Sequence, residues 1–191
     1  NLRLRVQAIV LPQPATAGVG YMAMYTVATL NNGDQEKTVS YFKELVPNIM
    51  QFSKSAATGT EQAGRGEVAV AIALDSDCEK ANKAGYSDLV TTYPSEGTGY
   101  EVGAVSVLAG ARNPEGAKAY MDWLLTTKAQ DLYADVPSFA APTLPDAKVG
   151  PNVPKQDVVK HVDWDVRKAA DSRADYIGIF ESQIAGASSA K

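Results

Sequence analysis

The sequence predicts an α/β fold with a parallel or mixed sheet, because apolar stretches of strand length alternate with amphipathic helical stretches along its 191 residues. The most apolar of them, Val68–Leu74, has no polar position, which is typical of a central parallel strand covered on both faces. The run Asn113-Pro114-Glu115 supplies a cap, a first-turn proline and an early acid, which together mark a helix start. These observations predict helices packed on a sheet.

The first half of the chain is predicted to enter a sheet, turn at two prolines and continue into helices. Pro12 and Pro14 end the first strand, and Thr16 or a neighbour caps the helix that follows. Asp34 is placed to cap the next helix. In order, the elements are a strand at Leu2–Leu11, a helix to about Leu30, a helix at Gln35–Val46, a strand at Ile49–Ser53 and a short helix around Thr60–Ala63.

The second half continues the alternation and ends in one amphipathic helix. The elements are the strand Val68–Leu74, a helix at Cys78–Ala84, strands at Asp88–Thr92 and Val102–Leu108, a helix at Pro114–Leu125 that buries Ala117, Tyr120, Met121 and Leu124, and a helix from Thr126 to about Ala134. A proline-rich extended segment, Val136–Lys155, precedes the final helix Trp164–Ile184 with Val166, Ala170, Ile177 and Phe180 inward.

Composition excludes several classes of protein. Hydrophobic residues make up 45% and charged residues 21%, as in globular proteins, and the net charge of −4 comes without a basic run, which argues against nucleic acid as a partner. A lone cysteine, Cys78, and a lone histidine, His161, leave neither an internal disulfide nor a structural zinc site. We expect no cofactor and no metal. The first residue is Asn1 rather than Met, which fits a processed or truncated start.

Polar side chains follow four of the predicted strands, at Pro14–Gly18, Ser53–Ser55, Asp75–Asp77 and Glu96–Gly99. Ligands of open α/β sheets bind beyond the carboxyl ends of the strands. These stretches offer hydroxyls, backbone N–H groups and carboxylates, so they predict a polar cleft for a small polyhydroxy or anionic ligand. The alternative is that they are ordinary turn and cap residues.

The stretch Pro12–Tyr21 has the order of strand, polar turn and helix start that produces an anion site from backbone N–H groups. Its glycines in Gly18-Val19-Gly20 also fit the dinucleotide pattern G-x-G-x-x-G/A. That reading requires an acid after the second strand to hold the ribose, and Asp34 and Glu36 instead lie at a helix start. The sequence therefore favours a simple anion-binding turn over a dinucleotide site.

The carboxylates Asp75, Asp77 and Glu96 leave an enzymatic alternative open, since paired carboxylates support general acid–base chemistry and bind hard cations. No nucleophile–base pair accompanies them, so we assign no catalytic residue. The α/β enzyme that uses Asp77 and Glu96 stays an alternative.

Several motifs, in order along nearly the whole chain, resemble the extracytoplasmic solute-binding proteins of ABC importers, in the class of ferric-iron and related binding proteins. Pro12–Tyr21 resembles that family's Pro-x-Pro-Ala-Thr-Ser-Gly-Thr-x-Tyr motif, with Ala17 in place of serine. The others are Gln51–Ser55, Arg65-Gly66-Glu67, Tyr93–Leu125 with its Tyr-Pro-Ser-Glu-Gly-Thr-Gly-Tyr opening, and His161–Asp165.

The resemblance implies a type 2 periplasmic-binding-protein fold, two lobes that close on a ligand about a hinge, with lobe 2 complete and only part of lobe 1 present. Residues 7–95 would form lobe 2 as an α/β ligand-binding domain. Residues 96–145 would be a partial lobe 1 segment. Residues 146–191 would be a proline-rich linker and a C-terminal helix that packs back on lobe 2. The rest of lobe 1 would belong to an N-terminal segment or a second chain.

The resemblance also implies what the site binds. Thr16 with the N–H groups of Ala17 and Gly18 would hold a phosphate or carboxylate, Asp77 and Glu96 would take hydroxyls or an amine, and Ser55 and Ser76 would add hydrogen bonds. Ferric-binding members carry a tyrosine pair where this chain has Ser76-Asp77, so we expect a phosphorylated sugar, phosphonate or similar organic anion. Ferric iron is the alternative.

The resemblance further implies a periplasmic, non-catalytic protein that delivers its ligand to a membrane ABC permease. A binding lobe of a sensor or regulatory assembly, which would need no permease, is a further alternative.

Overall fold

The computed structural model describes residues 7–136 and 138–185, which divide into two compact units. The first unit contains the described residues up to Tyr100 and those from Gln156 onward, and the second unit is Glu101–Lys155. The part of the predicted first strand that precedes Gln7 lies outside the described residues.

The first unit is built on a parallel sheet of three strands, so the predicted α/β class is confirmed. The strands are β1, Ile9–Pro12, β2, Ile49–Ser53, and β3, Val70–Ala71. Their order is β2-β1-β3, with Ile9 opposite both Ile49 and Val70. All four residues of β1 are buried, because this strand is central and helices cover both of its faces.

The helices of this unit follow the strands and enclose one core. They are α1, Gly18–Leu30, α2, Gln35–Leu45 with a 3₁₀ turn at Val46–Asn48, α3, Ala56–Gly64, α4, Asp75–Lys83, and, later in the chain, α7, Val166–Asp171, α8, Arg173–Ile179, and a π-helical turn at Phe180–Ala185. Met24 of α1 and Phe180 are fully buried, and Phe180 meets the ring of Phe52 edge-on at 5.1 Å. The π-helical turn therefore packs on the sheet core.

The prediction that Val68–Leu74 is the central strand is wrong. Only Val70 and Ala71 form a strand, at the edge of the sheet, and Val70 is 37% exposed. The apolar run packs on α3, where Gly59 lies close to Ala71. An apolar run is compatible with a strand that is covered on both faces, but it does not specify which segments cover those faces or pair with the two hydrogen-bonding edges.

Two other predicted strands, Asp88–Thr92 and Val102–Leu108, form no strand. Val90 is 82% exposed and Leu108 is 78% exposed, so neither segment has a sheet to pair with in the described chain. Short apolar runs fit a strand by pattern, but pairing depends on a neighbour that the pattern does not specify.

Helix bounds differ at three places. α3 begins at Ala56 rather than near Thr60, and α4 begins at Asp75 rather than Cys78, because Ser55 and Leu74 already have the extended backbone of a residue that precedes a helix. The predicted last helix is interrupted at Ser172. Phe180 is buried as predicted, but Val166 and Ala170 are exposed and Ile177 is half-buried, whereas Ala169 and Tyr176 are buried instead.

The second unit contains α5, Pro114–Leu124, and α6, Thr127–Asp135, with caps at Asn113 and Thr126. Both helices match their predicted positions, but the predicted burial along α5 is wrong: no residue of it is buried, and Tyr120 is 56% exposed. Ala117, Met121 and Leu124 are half-buried, so the described unit covers the amphipathic face only in part.

Gln130 is the main polar anchor of the second unit. Its buried side-chain oxygen accepts hydrogen bonds from the backbone N–H groups of Thr143 and Leu144, each at 2.9 Å, and its amide donates to the Thr143 hydroxyl at 3.0 Å. This side chain fixes the proline-rich segment against α6 together with Asp131, whose Oδ1 accepts the Lys148 N–H at 2.7 Å.

Replacing Gln130 by alanine is expected to destabilise the second unit by about 2 kcal/mol, because two backbone donors lose their acceptor. Amide hydrogen exchange at Thr143 and Leu144 measures the effect. Lys128→Ala on the exposed face of the same helix is the control, and equal exchange in both variants would contradict the assignment.

Candidate functional site

Three helices begin where the three parallel strands end. β1 leads into α1, β2 into α3 and β3 into α4, so the three helix N-termini lie along one edge of the sheet, here named the carboxyl edge. The Gln13 N–H donates to the Ser53 carbonyl at 2.8 Å, which ties the first two of these loops together. The carboxyl edge thus collects the first-turn N–H groups of three helices.

None of these three helices has a side-chain cap. The residues at the cap positions are Ala17, Ser55 and Leu74, and none of them accepts a hydrogen bond from its own helix through its side chain. Four helices elsewhere are capped by side chains, at Asp34, Asn113, Thr126 and Asp165. Uncapped N-termini leave backbone donors and a partial positive charge available to a ligand, although in α4 the Ser76 N–H already donates to Asp75 Oδ1 at 2.7 Å.

The residues predicted for the first loop differ in their hydrogen bonds. Thr16 is exposed, and its hydroxyl donates to the Gln13 side chain at 3.4 Å, so Thr16 is not the helix cap. The Ala17 N–H already donates to the Gln13 carbonyl at 2.9 Å, because the loop closes in a tight turn. Gly18 is the first helical residue and is exposed. The N–H groups of Gly18 and Val19 are the donors that this turn leaves for a ligand.

The second loop presents one hydroxyl. Ser53 is fully buried and donates from its hydroxyl to the Ser55 carbonyl at 2.8 Å, which holds the loop rigid. Ser55 is exposed at the cap position of α3, and its hydroxyl does not cap the helix. Its side chain therefore lies beside the free end of α3.

The third loop brings carboxylates to the edge. Asp75 and Asp77 both lie in the first turn of α4, whereas the first turns of α1 and α3 hold no acid. Burial raises the pKa of the Asp77 carboxyl, and the charge of Lys80 partly opposes that rise. The carboxyl edge thus has one part that favours anions and one part that carries carboxylates.

Glu96 lies apart in an exposed turn. Its carboxylate accepts the Ser95 hydroxyl at 3.1 Å, and hydrogen bonds from its own backbone N–H and from Ser95 lower the pKa of its carboxyl. Within the described residues, no hydrogen bond joins Glu96 to the other predicted site residues. Its role in binding stays a prediction.

Two residues that the sequence analysis did not assign, Tyr93 and Gln156, contact Asp75. The Tyr93 hydroxyl donates to Asp75 Oδ2 at 3.3 Å, and the Gln156 side-chain amide donates to the same oxygen at 3.0 Å. Tyr93 opens the segment Tyr93–Leu125, one of the motifs that carry the family resemblance. Nothing in the sequence pairs residue 156 with residue 75.

The phenol of Tyr93 is expected to ionise at a pKa of about 12 instead of 10, first because it is buried and second because Asp75 is close. Between pH 10 and about 12 the Tyr93 phenol stays protonated in the folded protein but ionises in the unfolded chain. The contribution of Tyr93 to stability is therefore complete below pH 10 and is lost as the pH rises to about 12. Asp75→Asn lowers the pKa only part of the way, since burial remains.

Carbon-13 NMR of ring-labelled tyrosines, with the signal assigned by Tyr93→Phe, measures this titration. An unchanged Tyr93 pKa in Asp75→Asn would show that the Asp75 charge does not act on the phenol.

Other features of the described chain give no competing site. The described residues hold no group of three histidine, cysteine or acidic side chains placed to bind a metal ion. Surface cavities of about 450 and 430 Å³ lie on α7 and α8 and beside α2, and neither is lined by a predicted site residue. No helix in the described part has the length and apolar character needed to cross a bilayer.

Known proteins share the sequence pattern and the fold of this chain. Residues 7–159 match the family model of bacterial extracellular solute-binding proteins. An uncharacterised protein from Haemophilus influenzae is 38% identical over 124 residues, which is 64% of this chain and 34% of that protein.

Three solved structures share the fold. The periplasmic binding protein AfuA from Actinobacillus pleuropneumoniae, solved with exogenous fructose-6-phosphate bound, is 32% identical with a TM-score of 0.83. The periplasmic binding protein P5PA is 26% identical with a TM-score of 0.78, and a ferric binding protein from Campylobacter jejuni is 15% identical with a TM-score of 0.66. The matches cover 94%, 94% and 92% of this chain but only 56%, 57% and 58% of those structures.

Proposed function

The chain belongs to the family of bacterial extracellular solute-binding proteins, and from that premise we propose that it captures a small organic anion for an ABC importer. Its family and its structural relatives are binding proteins, so the proposed activity is reversible binding with no bond made or broken. The ligand class is a phosphorylated sugar, a phosphonate or a similar anion. The partner is a membrane ABC permease, and the location is the periplasm.

The observation that carries the proposal is the set of three uncapped helix N-termini at the carboxyl edge. Backbone N–H groups in a first turn bind phosphate and carboxylate oxygens through hydrogen bonds and through the helix dipole. Four other helices, α2, α5, α6 and α7, use a side chain at the cap position for these donors, whereas α8 follows α7 at Ser172 and also lacks a side-chain cap. The three helix starts that follow the strands differ from that of α8 because they lie at the edge where α/β sheets bind ligands.

We assign roles by position along this edge. The N–H groups of Gly18 and Val19 hold the anionic group, with the hydroxyls of Thr16 and Ser55 beside it. Ser76 and Asp77 meet the rest of the ligand from α4. Among the relatives, AfuA was solved with a phosphorylated sugar bound, which supports this ligand class for the present chain.

A thermal-shift series tests the ligand class. Fructose 6-phosphate, a phosphonate, fructose and ferric iron are added at matched ionic strength, and we expect stabilisation by the two phosphorus-containing anions only. A ligand at 100 times its dissociation constant stabilises the folded state by about 2.7 kcal/mol, which is readily visible as a shift in melting temperature. Stabilisation by ferric iron alone would overturn the proposal in favour of the ferric alternative.

A further inference from the structure

The carboxylate of Asp75 is held by donors from three separate parts of the first unit. Oδ1 accepts the Ser76 N–H at 2.7 Å, and Oδ2 accepts both the Tyr93 hydroxyl at 3.3 Å and the Gln156 amide at 3.0 Å. Residue 156 is 81 positions away in sequence. An acid in the first turn stabilises its helix without such distant partners. The effect of the donors from Tyr93 and Gln156 is therefore to fix the direction of the Asp75 carboxylate.

The position of Asp75 connects this arrangement to the carboxyl edge. Asp75 is the first residue of α4 and is half-buried. It belongs to the part of the carboxyl edge that carries carboxylates, whereas the first turns of α1 and α3 hold no acid. A carboxylate offers about four acceptor positions, and the three protein donors leave about one of them for a ligand. Asp75 is therefore oriented, partly exposed and still able to accept a hydrogen bond.

We infer that Asp75 recognises the hydroxyl-bearing body of the solute, and that Tyr93 and Gln156 are positioning residues that aim its carboxylate. This inference rests on the proposed function, because it takes the anionic group of the same solute to lie at α1 and α3. The ligand class it specifies is a phosphate attached to a polyhydroxy body. A carboxylate already fixed by neighbours gains a ligand hydrogen bond without first having to be ordered.

The other two carboxylates predicted for the site, Asp77 in α4 and Glu96 in its separate exposed turn, are held less firmly. Glu96 is fixed only by its own turn, and within the described residues no hydrogen bond from another segment reaches the Asp77 side chain. Asp75 is thus the carboxylate whose fixed orientation best suits it to distinguish one solute from another.

Two probes and two variants test the inference. The affinities of inorganic phosphate and fructose 6-phosphate are measured by NMR titration for the wild type, Asp75→Asn and Gln156→Leu. Both variants are expected to bind fructose 6-phosphate about tenfold more weakly, the usual effect of losing or misaiming a hydrogen bond to a charged group, and to bind inorganic phosphate as the wild type does. Gln183→Leu makes the same amide-to-leucine change at an exposed position of the C-terminal turn and is the matched control.

The pattern across the two probes separates the possibilities. Equal losses for both probes would show that Asp75 and Gln156 only support the fold, and unchanged affinity for fructose 6-phosphate would show that the carboxylate does not touch the solute. Either result overturns the inference while the proposed function stands. If the wild type binds neither probe, the proposed function itself fails.

Discussion

Replacing Gly20 by alanine is expected to destabilise the first unit by about 3 kcal/mol, at the upper end of the cost of overpacking, because the added methyl group meets backbone. A Cβ at this position would lie 2.1 Å from the Pro12 carbonyl oxygen and 2.7 Å from the Gln13 carbonyl carbon. Neither atom belongs to a flexible side chain, so α1 has to move away from the end of β1. Urea denaturation followed by circular dichroism measures the change in unfolding free energy.

Gly18→Ala is the matched control, since a Cβ there has no neighbouring atom within 4 Å. We expect its unfolding free energy to stay within about 0.5 kcal/mol of the wild type. The pair separates the two glycines of the Gly18-Val19-Gly20 motif, one required for packing and one at the exposed helix start. Equal stability of both variants would contradict the close approach of α1 to β1.

Ala17→Asp is expected to weaken binding of the anionic ligand by at least about tenfold and to stabilise the free protein by about 1 kcal/mol. The new carboxylate would cap α1 as Asp34 caps α2, where Asp34 Oδ1 accepts the Lys37 N–H at 3.1 Å. It would compete with the ligand for the Val19 N–H, the counterpart of the Glu36 N–H that also interacts with Asp34, and it would repel the anion as well. Ligand affinity and melting temperature are measured on the same preparation.

Two further variants divide this effect into its causes. Ala17→Asn caps the helix without a charge, so we expect its affinity loss to be smaller than that of the aspartate. Thr126→Asp adds a charge at a helix in the second unit that already has a side-chain cap, and its affinity is expected to match the wild type. Unchanged affinity in Ala17→Asp would mean that the α1 N-terminus is not part of the site.

Elements with strong local signals were predictable from the sequence. Asp34 and Asn113 mark the starts of α2 and α5 because a cap acts within one helical turn, and both accept the N–H three residues later. The strand Ile49–Ser53 has its predicted bounds. The positions of Pro14–Gly18, Ser53–Ser55 and Asp75–Asp77 after three parallel strands follow from the order of elements alone.

Features that depend on distant contacts were not predictable. The edge position of β3 depends on which strands pair, and the interruption of the last helix at Ser172 is not visible in its periodicity. The contact of Gln156 with Asp75 joins residues 81 positions apart. Thr16 is the natural cap by residue type, yet the turn formed by Gln13 and Ala17 places the cap position at Ala17, so the helix starts at Gly18.

The central claim is that the free helix starts at the carboxyl edge bind the anionic group of the solute. Its most direct test is a nitrogen-15 NMR titration of the chain with fructose 6-phosphate, with fructose at equal concentration as the control. We predict that the phosphorylated sugar shifts the amide signals of Gly18 and Val19, together with those of the first turn of α3, and that fructose leaves them unchanged. Shifts confined to other parts of the chain, or equal shifts with both sugars, would contradict the claim.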